Sequence, residues 1–304
     1  MIYFVVMVMT LGMAALTTSY RKSTVNGRTI NSVLTYKLLI CLTALPTILV
    51  SGLRAYNVGT DTRGTYYYIF LSVYSNGISN IRDIGYAFIN QLSLCFTDSY
   101  TGVLMLTSIL CCGLAVHSIF KQSQNPAMSC LLFFTTNVFF ISMNMIRQSI
   151  ATMIFIVAIP YIKERKFVKF AILIALAVMV HVIGIVYIFI YFIYPIRLTK
   201  TRVTVGGIGV LVVGNILASL FAMIVTRVSY VAKYFSWYLT SGFNSGEMNW
   251  FSLFVQIGVM FFLIIIYDRA KNDGVYRIVL WLNFIALCIL LISSRIPLAQ
   301  RISW

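Results

Sequence analysis

Long apolar runs alternate with short polar gaps along the 304 residues of this chain. Most runs approach the roughly 20 residues that an α-helix needs to cross the hydrocarbon core of a bilayer. The pattern therefore predicts an all-α, polytopic integral membrane protein that forms one membrane domain over residues 1–304. The predicted spans are approximately 2–18, 34–53, 100–119, 127–143, 146–162, 203–225, 250–267 and 275–293. The first run lacks a basic start and a clear cleavage site, so it is predicted to be a retained span.

The apolar stretch from Phe167 to Pro195 is long for one helix and short for two. His181 and Gly184 lie near its middle. A hairpin with His181 near its outer turn would leave more Lys and Arg residues on the cytoplasmic side than a single span would. The positive-inside rule favours that arrangement. We therefore predict about ten transmembrane helices, with the N-terminus outside.

The two longest polar stretches, Arg54–Ser99 and Arg227–Asn249, both fall on the outer (periplasmic) side in this topology. Within the first, residues 83–96 read DIGYAFINQLSLCF, which predicts a short amphipathic helix. Outer loops that carry short amphipathic helices are thus part of the predicted fold.

The composition supports a membrane protein and excludes two other classes. Hydrophobic residues make up 60% of the chain and charged residues 10%, against about a quarter charged in soluble domains. The net charge of +16 is spread over the gaps between apolar runs, so we expect a lipid bilayer and no nucleic acid as partner. The six cysteines form no C-x-x-C and lie mostly in apolar runs, which indicates neither a disulfide framework nor a zinc site.

Arg147 stands in MNMIRQSIA with almost no polar loop around it. An ionisable group at membrane depth usually faces a cavity or a partner. The planar donor fork of arginine suits phosphate oxygens. The alternatives are that Arg147 snorkels to the interface or pairs with an acid such as Asp61 or Asp83, and the sequence leaves these open.

Further arginines lie on the outer side, where the orientation rule disfavours positive charge. Binding a polyanion would explain the set, although each member alone could be a solvated loop charge. They are Arg54, Arg63, Arg82, Arg295 and Arg301.

Few other side chains are candidates for catalysis or for binding a metal or a sugar. No D-x-D is present to hold Mg²⁺ or Mn²⁺ on a sugar nucleotide, so we expect no metal and no other cofactor. Asp61 either caps a helix beginning near Gly64 or contributes to a site. His181 is either a satisfied core residue or a general base. The tyrosines at 66–68, 230, 234 and 238 form either an interfacial belt or a sugar groove.

Several of these stretches resemble the O-antigen and exopolysaccharide polymerases of the Wzy or EpsG type. RAYNVGTDTRGTYYYIF (54–70) resembles their first outer loop, in which Val-Gly-Thr-Asp follows Arg and precedes Tyr. RDIGYAFINQLS (82–93) resembles the next element, and NMIRQSIATMIF (144–155) resembles an Asn-x-x-Arg-Gln-x-x-Ala motif. LIALAVMVHVIGIVYIFI (173–190) resembles a helix break at His, although Val180 replaces the usual Phe. QRISW resembles a late arginine block, and the chain ends there, as a truncated or unusually short C-terminus would.

The resemblance implies a metal-independent glycosyltransferase similar to the C type, placed in the bacterial inner (cytoplasmic) membrane. Such polymerases join oligosaccharide repeats carried on undecaprenyl pyrophosphate at the outer face, and a chain-length regulator is a further expected partner. His181 and Asp61 are the implied catalytic residues. The implied substrate-binding residues are Arg54, Arg63, Tyr66, Arg82, Asp83, Arg147, Gln148, Tyr234, Arg295 and Arg301.

Two other functions stay open. A lipid-linked glycan transporter or flippase should show internal repeats and charges along a path through the membrane. No repeat is visible, and the polar groups concentrate on the outer side. An O-antigen ligase would share much of the architecture, and the loop motifs are the main reason to prefer a polymerase.

Overall fold

The computed structural model describes residues 1–25, 31–78, 81, 83–227 and 250–291. Every regular element in this part of the chain is helical, which confirms the predicted all-α class. The elements are α1 (Ile2–Val25), α2 (Asn31–Gly52), a π-helical turn (Thr62–Tyr66), α3 (Tyr67–Asn76), α4 (Ile84–Leu94), α5 (Tyr100–Gln122), α6 (Pro126–Thr135), α7 (Val138–Asn144), α8 (Ile146–Lys163), α9 (Phe167–Val180), a 3₁₀ helix (Val182–Tyr187), α10 (Ile188–Ile193), α11 (Lys200–Arg227), α12 (Trp250–Ala270) and α13 (Gly274–Leu291). They fall into two compact units, Met1–Ile188 and Phe189–Trp304.

In the first unit, successive long helices pack side by side. α1 packs on α2, α2 on α5, α5 on α8, and α8 on α9. The hydroxyl of Ser108, in the third turn of α5, donates to the Ser51 hydroxyl at the end of α2 across 2.9 Å. The C-terminus of α2 and the N-terminus of α5 therefore meet at the same end of the bundle, above a core that includes Val103, Phe139 and Ile150.

The short helices α3 and α4 lie at that same end. α3 packs on α4, and α4 packs on α5 and α9. α4 confirms the amphipathic helix predicted from residues 83–96: it buries Tyr86 and Asn90 completely, whereas Phe88 is 59% exposed. The polar stretch after α2 is thus folded onto the bundle.

The predicted span 127–143 is broken in the middle. α6 and α7 meet at an angle of 54°. Asn137 adopts a left-handed conformation with φ of 68°, which asparagine tolerates better than most residues. The Thr136 hydroxyl donates to the Leu132 carbonyl across 2.6 Å, so the end of α6 is satisfied within its own last turn.

The stretch from Phe167 to Pro195 is also interrupted, at the predicted position. α9 ends at Val180, His181 is extended, and a 3₁₀ helix packs against both α8 and α9. Tyr187 fixes this packing, because its ring stacks on Phe155 with centroids 4.3 Å apart and its hydroxyl lies 2.8 Å from that of Thr152.

The chain is a multi-pass membrane protein. Where the structure describes the side chains, six helices are long and apolar enough to span a bilayer, or seven if the bent pair α6–α7 forms one span. They are α1, α2, α5, α8, α12 and α13. α9 and the segment Val182–Ile193 are shorter apolar helices. The other predicted spans correspond to the bent pair α6–α7, to the shorter helices α9 and Val182–Ile193, and to α11, whose side chains are described only in part.

The second unit is built from α11, α12 and α13. α12 and α13 pack against each other, and α11 packs against α13. Their core contains Val203, Met260 and Leu280. The Tyr276 hydroxyl donates to the Leu263 carbonyl across 2.7 Å, which ties the start of α13 to α12.

Candidate functional site

Arg147 lies in the first turn of α8, and Asp83 lies at the N-cap of α4. Their side chains form an ion pair in which an Arg147 Nη donates to the Asp83 carboxylate. Both side chains are largely buried, with 21% and 10% of their surface exposed. Of the alternatives that the sequence left open, the structure thus contains the pairing with Asp83.

Two tyrosine rings flank the guanidinium of Arg147. Its central carbon lies 5.1 Å from the centroid of Tyr66 and 5.9 Å from that of Tyr86, within the range of cation–π contacts. Burial raises the pKa of Tyr66 and the charge of Arg147 opposes this, so the phenol stays protonated at neutral pH. Arg147 Nε is buried and has no hydrogen-bond partner within the described residues. The cation is therefore held in a fixed plane and retains an unused donor.

His181 is brought to the same place by a close contact between α4 and α9. A Cβ on Gly85 would lie 2.8 Å from the Met179 carbonyl carbon, so only glycine allows this approach. The charges of Arg147 and Asp83 both act on His181, two residues after Met179. The sequence-predicted histidine, arginine and acid therefore form one cluster.

The hydrogen bonding of His181 fixes its tautomer. Nδ1 accepts the backbone N–H of Ile183 across 3.1 Å. Burial, and then the charge of Arg147, lowers the pKa of His181 below its usual value of 6.5. The ring is consequently neutral at pH 7 and carries its proton on Nε2, which is a hydrogen-bond donor.

Asn144, in the stretch 144–155, is hydrogen-bonded to the stretch 54–70. Its Oδ1 accepts the backbone N–H of Asp61 at 3.0 Å and the hydroxyl of Thr60 at 3.3 Å. Gly59, with φ of 99°, allows the chain to turn there. Asp61 occupies the N-cap of the π-helical turn, but its side chain makes no capping hydrogen bond. Its carboxylate therefore remains available beside the turn.

Arg54 is hydrogen-bonded to carbonyls at the ends of two helices. It is 9% exposed, and its guanidinium donates to the Ser51 carbonyl and, across 2.8 Å, to the Met143 carbonyl. These carbonyls belong to the C-terminal turns of α2 and α7, where carbonyls lack helical partners. Arg54 thus fixes the chain a few residues before Arg147.

We expect Arg54→Ala to lower the stability of the purified protein in detergent, because charge-assisted hydrogen bonds of this kind contribute about 1.5–3 kcal/mol. Thermal unfolding followed by circular dichroism measures the change. Arg63→Ala is the matched control, since the Arg63 side chain is exposed. Equal melting temperatures for the two variants would contradict the capping role of Arg54.

The remaining predicted substrate-binding residues lie outside the Arg147 cluster or outside the described part of the chain. Arg63 is exposed on the π-helical turn, and Gln148 is half-buried next to Arg147. Four predicted residues lie outside the part of the chain that the structure describes: Arg82, Tyr234, Arg295 and Arg301.

Sequence reasoning missed the roles of Asn144 and Tyr86. Both lie in the quoted motifs, NMIR and DIGYAF. Their place in those motifs was the available signal.

Comparison with known proteins identifies the family of the chain. The EpsG family model matches residues 37–304, which include every described residue of the cluster. No curated protein and no solved structure matches the chain. Because the family match covers most of the sequence, the chain belongs to the EpsG family.

Proposed function

We propose that this protein is a glycosyltransferase that polymerises oligosaccharide repeats carried on undecaprenyl pyrophosphate. Membership of the EpsG family indicates a polysaccharide polymerase-type function. The observation that carries the finer proposal is the cluster of Arg147, Asp83, Tyr66, Tyr86 and His181 at one end of the first unit. We place this end at the outer face of the bacterial inner membrane, in a C-type-like arrangement with about ten spans.

Arg147 is suited to the pyrophosphate of the lipid-linked donor. The tail of the donor stays in the bilayer while its phosphates lie at the interface, where α8 begins. The Asp83 carboxylate and the rings of Tyr66 and Tyr86 orient the guanidinium before substrate arrives. A preoriented cation stabilises negative charge as it develops on the leaving group, without a metal cofactor.

The proposed reaction transfers the growing chain to a sugar hydroxyl of the next repeat. The hydroxyl oxygen forms a bond to the anomeric carbon, and the bond from that carbon to the pyrophosphate oxygen breaks. The bonding electrons leave with undecaprenyl pyrophosphate, which Arg147 binds. The hydroxyl proton goes to a base.

The tautomer of His181 determines which roles we assign to His181 and Asp61. Nε2 of His181 carries a proton, so it donates a hydrogen bond to a phosphate oxygen in our proposal. The uncapped carboxylate of Asp61 is then the candidate base for the acceptor hydroxyl. This differs from the alternative, left open by the sequence, in which His181 itself is the base.

We expect a deletion strain to retain single repeat units on their acceptor and to lose long chains, because only the joining of repeats is removed. Gel electrophoresis of the surface polysaccharide measures this, with complementation by the wild-type gene as the control. A strain that lacks even single units would indicate transport or ligation in place of polymerisation.

A further inference from the structure

A pocket of about 570 Å³ opens beside the Arg147 cluster and plays no part in the proposed chemistry. It lies between the residues after α2, one face of α3 and the start of α5. Its aromatic walls come from Tyr56, Tyr67, Phe70, Tyr74 and Tyr100. Arg147, Asp83 and His181 are absent from its lining. The pocket is therefore separate from the cluster that we assign to the pyrophosphate.

Some aromatic rings of the pocket are buried, and two others are exposed at its edge. Tyr67 lies 5.0 Å from Tyr56 and 5.4 Å from Tyr100, measured between ring centroids. Phe70 and Tyr100 are buried, whereas Tyr56 is 50% and Tyr74 is 56% exposed. Two rings thus offer open faces to a ligand, and the rings beneath them keep those faces in position.

The polar groups of the pocket favour a polyhydroxylated ligand over an anion. Tyrosine, Ser99 and Thr101 hydroxyls lie in its lining, and Asp98 is the only acid there among the described residues. Arg54 is the only base in that lining, and its guanidinium donates to Ser51 and Met143 carbonyls. A phosphate would thus meet a carboxylate and a cation whose two Nη groups already donate to carbonyls. Sugars present apolar C–H faces to aromatic rings and hydroxyls to polar side chains.

The pocket also lies next to the Arg147 cluster, where a bound saccharide would extend. Tyr66 contacts the Arg147 guanidinium, and the next residue, Tyr67, lines the pocket. The volume lies within the range of about 300–1,000 Å³ that is usual for small-molecule sites. Two adjacent residues therefore connect the proposed reaction centre to this aromatic pocket.

We propose that the pocket is a glycan subsite that binds neutral or amino sugars of the saccharide engaged at the Arg147 cluster. This rests on the proposed polymerase function and adds a second contact for the chain. A subsite of this kind keeps the saccharide on the protein between additions, so it raises the number of repeats joined before release. The carboxylate of Asp98 favours sugars without acidic groups.

The direct test is binding of free saccharide to the detergent-purified protein. The probe is a set of short oligosaccharides made by partial hydrolysis of the host strain's own polysaccharide, and the readout is saturation-transfer-difference NMR. We expect Tyr56→Ala/Tyr74→Ala to weaken binding at least about tenfold, because it removes both open ring faces. Tyr68→Ala is the matched control, since Tyr68 is 65% exposed beside Tyr67 and does not line the pocket.

Chain length provides the second readout. In cells, the double variant should still join repeats but should make shorter chains than wild type or Tyr68→Ala. Equal saccharide binding by wild type and the double variant would overturn the subsite. Loss of a co-purified lipid from that variant in native mass spectrometry, with saccharide binding unchanged, would likewise overturn it and identify a lipid pocket. The polymerase proposal is tested separately by Arg147, which lies outside this pocket.

Discussion

Replacing Arg147 by alanine is expected to reduce polymerisation about a hundredfold, or on the order of 3 kcal/mol in the transition state, by analogy with a lost oxyanion donor. The guanidinium is held by Asp83 and two tyrosine rings, so its position is set before the donor binds. Its contact to the leaving phosphate strengthens as negative charge develops there. The measurement is the rate of chain growth by purified protein in liposomes that contain the lipid-linked repeat.

Arg147→Lys separates charge from shape. Lysine keeps the positive charge beside Asp83 but loses the planar fork and its stacking on the tyrosines. We therefore expect a strong reduction in rate, smaller than that of Arg147→Ala, at a normal level of protein in the membrane.

The ion pair makes protein level a necessary control. Arg147→Ala leaves the Asp83 carboxylate, which is only 10% exposed, without its ion-pair partner. An unpaired buried charge destabilises a protein. The double variant Arg147→Ala/Asp83→Asn removes that charge. It should recover a normal protein level in the membrane while polymerisation stays about a hundredfold slower. If the double variant regains both level and polymerisation, Arg147 is a structural partner of Asp83 and does not bind phosphate.

The helices themselves were largely predictable, because they follow from local apolar runs. The amphipathic pattern of residues 83–96 predicted α4, and His181 marked the end of α9 correctly. The bend between α6 and α7 was not predicted, because it depends on a left-handed Asn137 inside an apolar run. Hydropathy alone does not register such a residue.

The site was predictable in its members but not in its pairings. Arg147 and Asp83 are 64 positions apart, and two acids were possible partners on sequence alone. Packing selects Asp83, since Gly85 allows α4 to approach the end of α9 while Asn144 holds Asp61 in a separate turn. Contacts over such separations depend on how the helices pack, which periodicity does not report.

His181 offers a second large effect, and its two nitrogens can be tested separately. Nδ1 accepts the Ile183 N–H and stabilises the turn after α9. Nε2 is the nitrogen that we assign to the pyrophosphate. The Oδ1 of asparagine can replace Nδ1 as acceptor but leaves nothing at the position of Nε2, so His181→Asn removes one function and keeps the other.

We expect His181→Asn to reach a normal membrane level and to polymerise about a hundredfold more slowly, as for other lost donors to a developing charge. His181→Ala should lose both stability and activity, because it removes the acceptor for Ile183 as well.

His181→Gln places an amide near the position of Nε2 and should recover part of the rate if a donor is what the reaction needs. An amide cannot act as a base, so a fully inactive Gln variant at normal membrane level would contradict the donor role and favour proton abstraction by His181. Normal polymerisation by His181→Asn would reduce His181 to a helix-end acceptor and leave Arg147 as the only phosphate contact of the cluster.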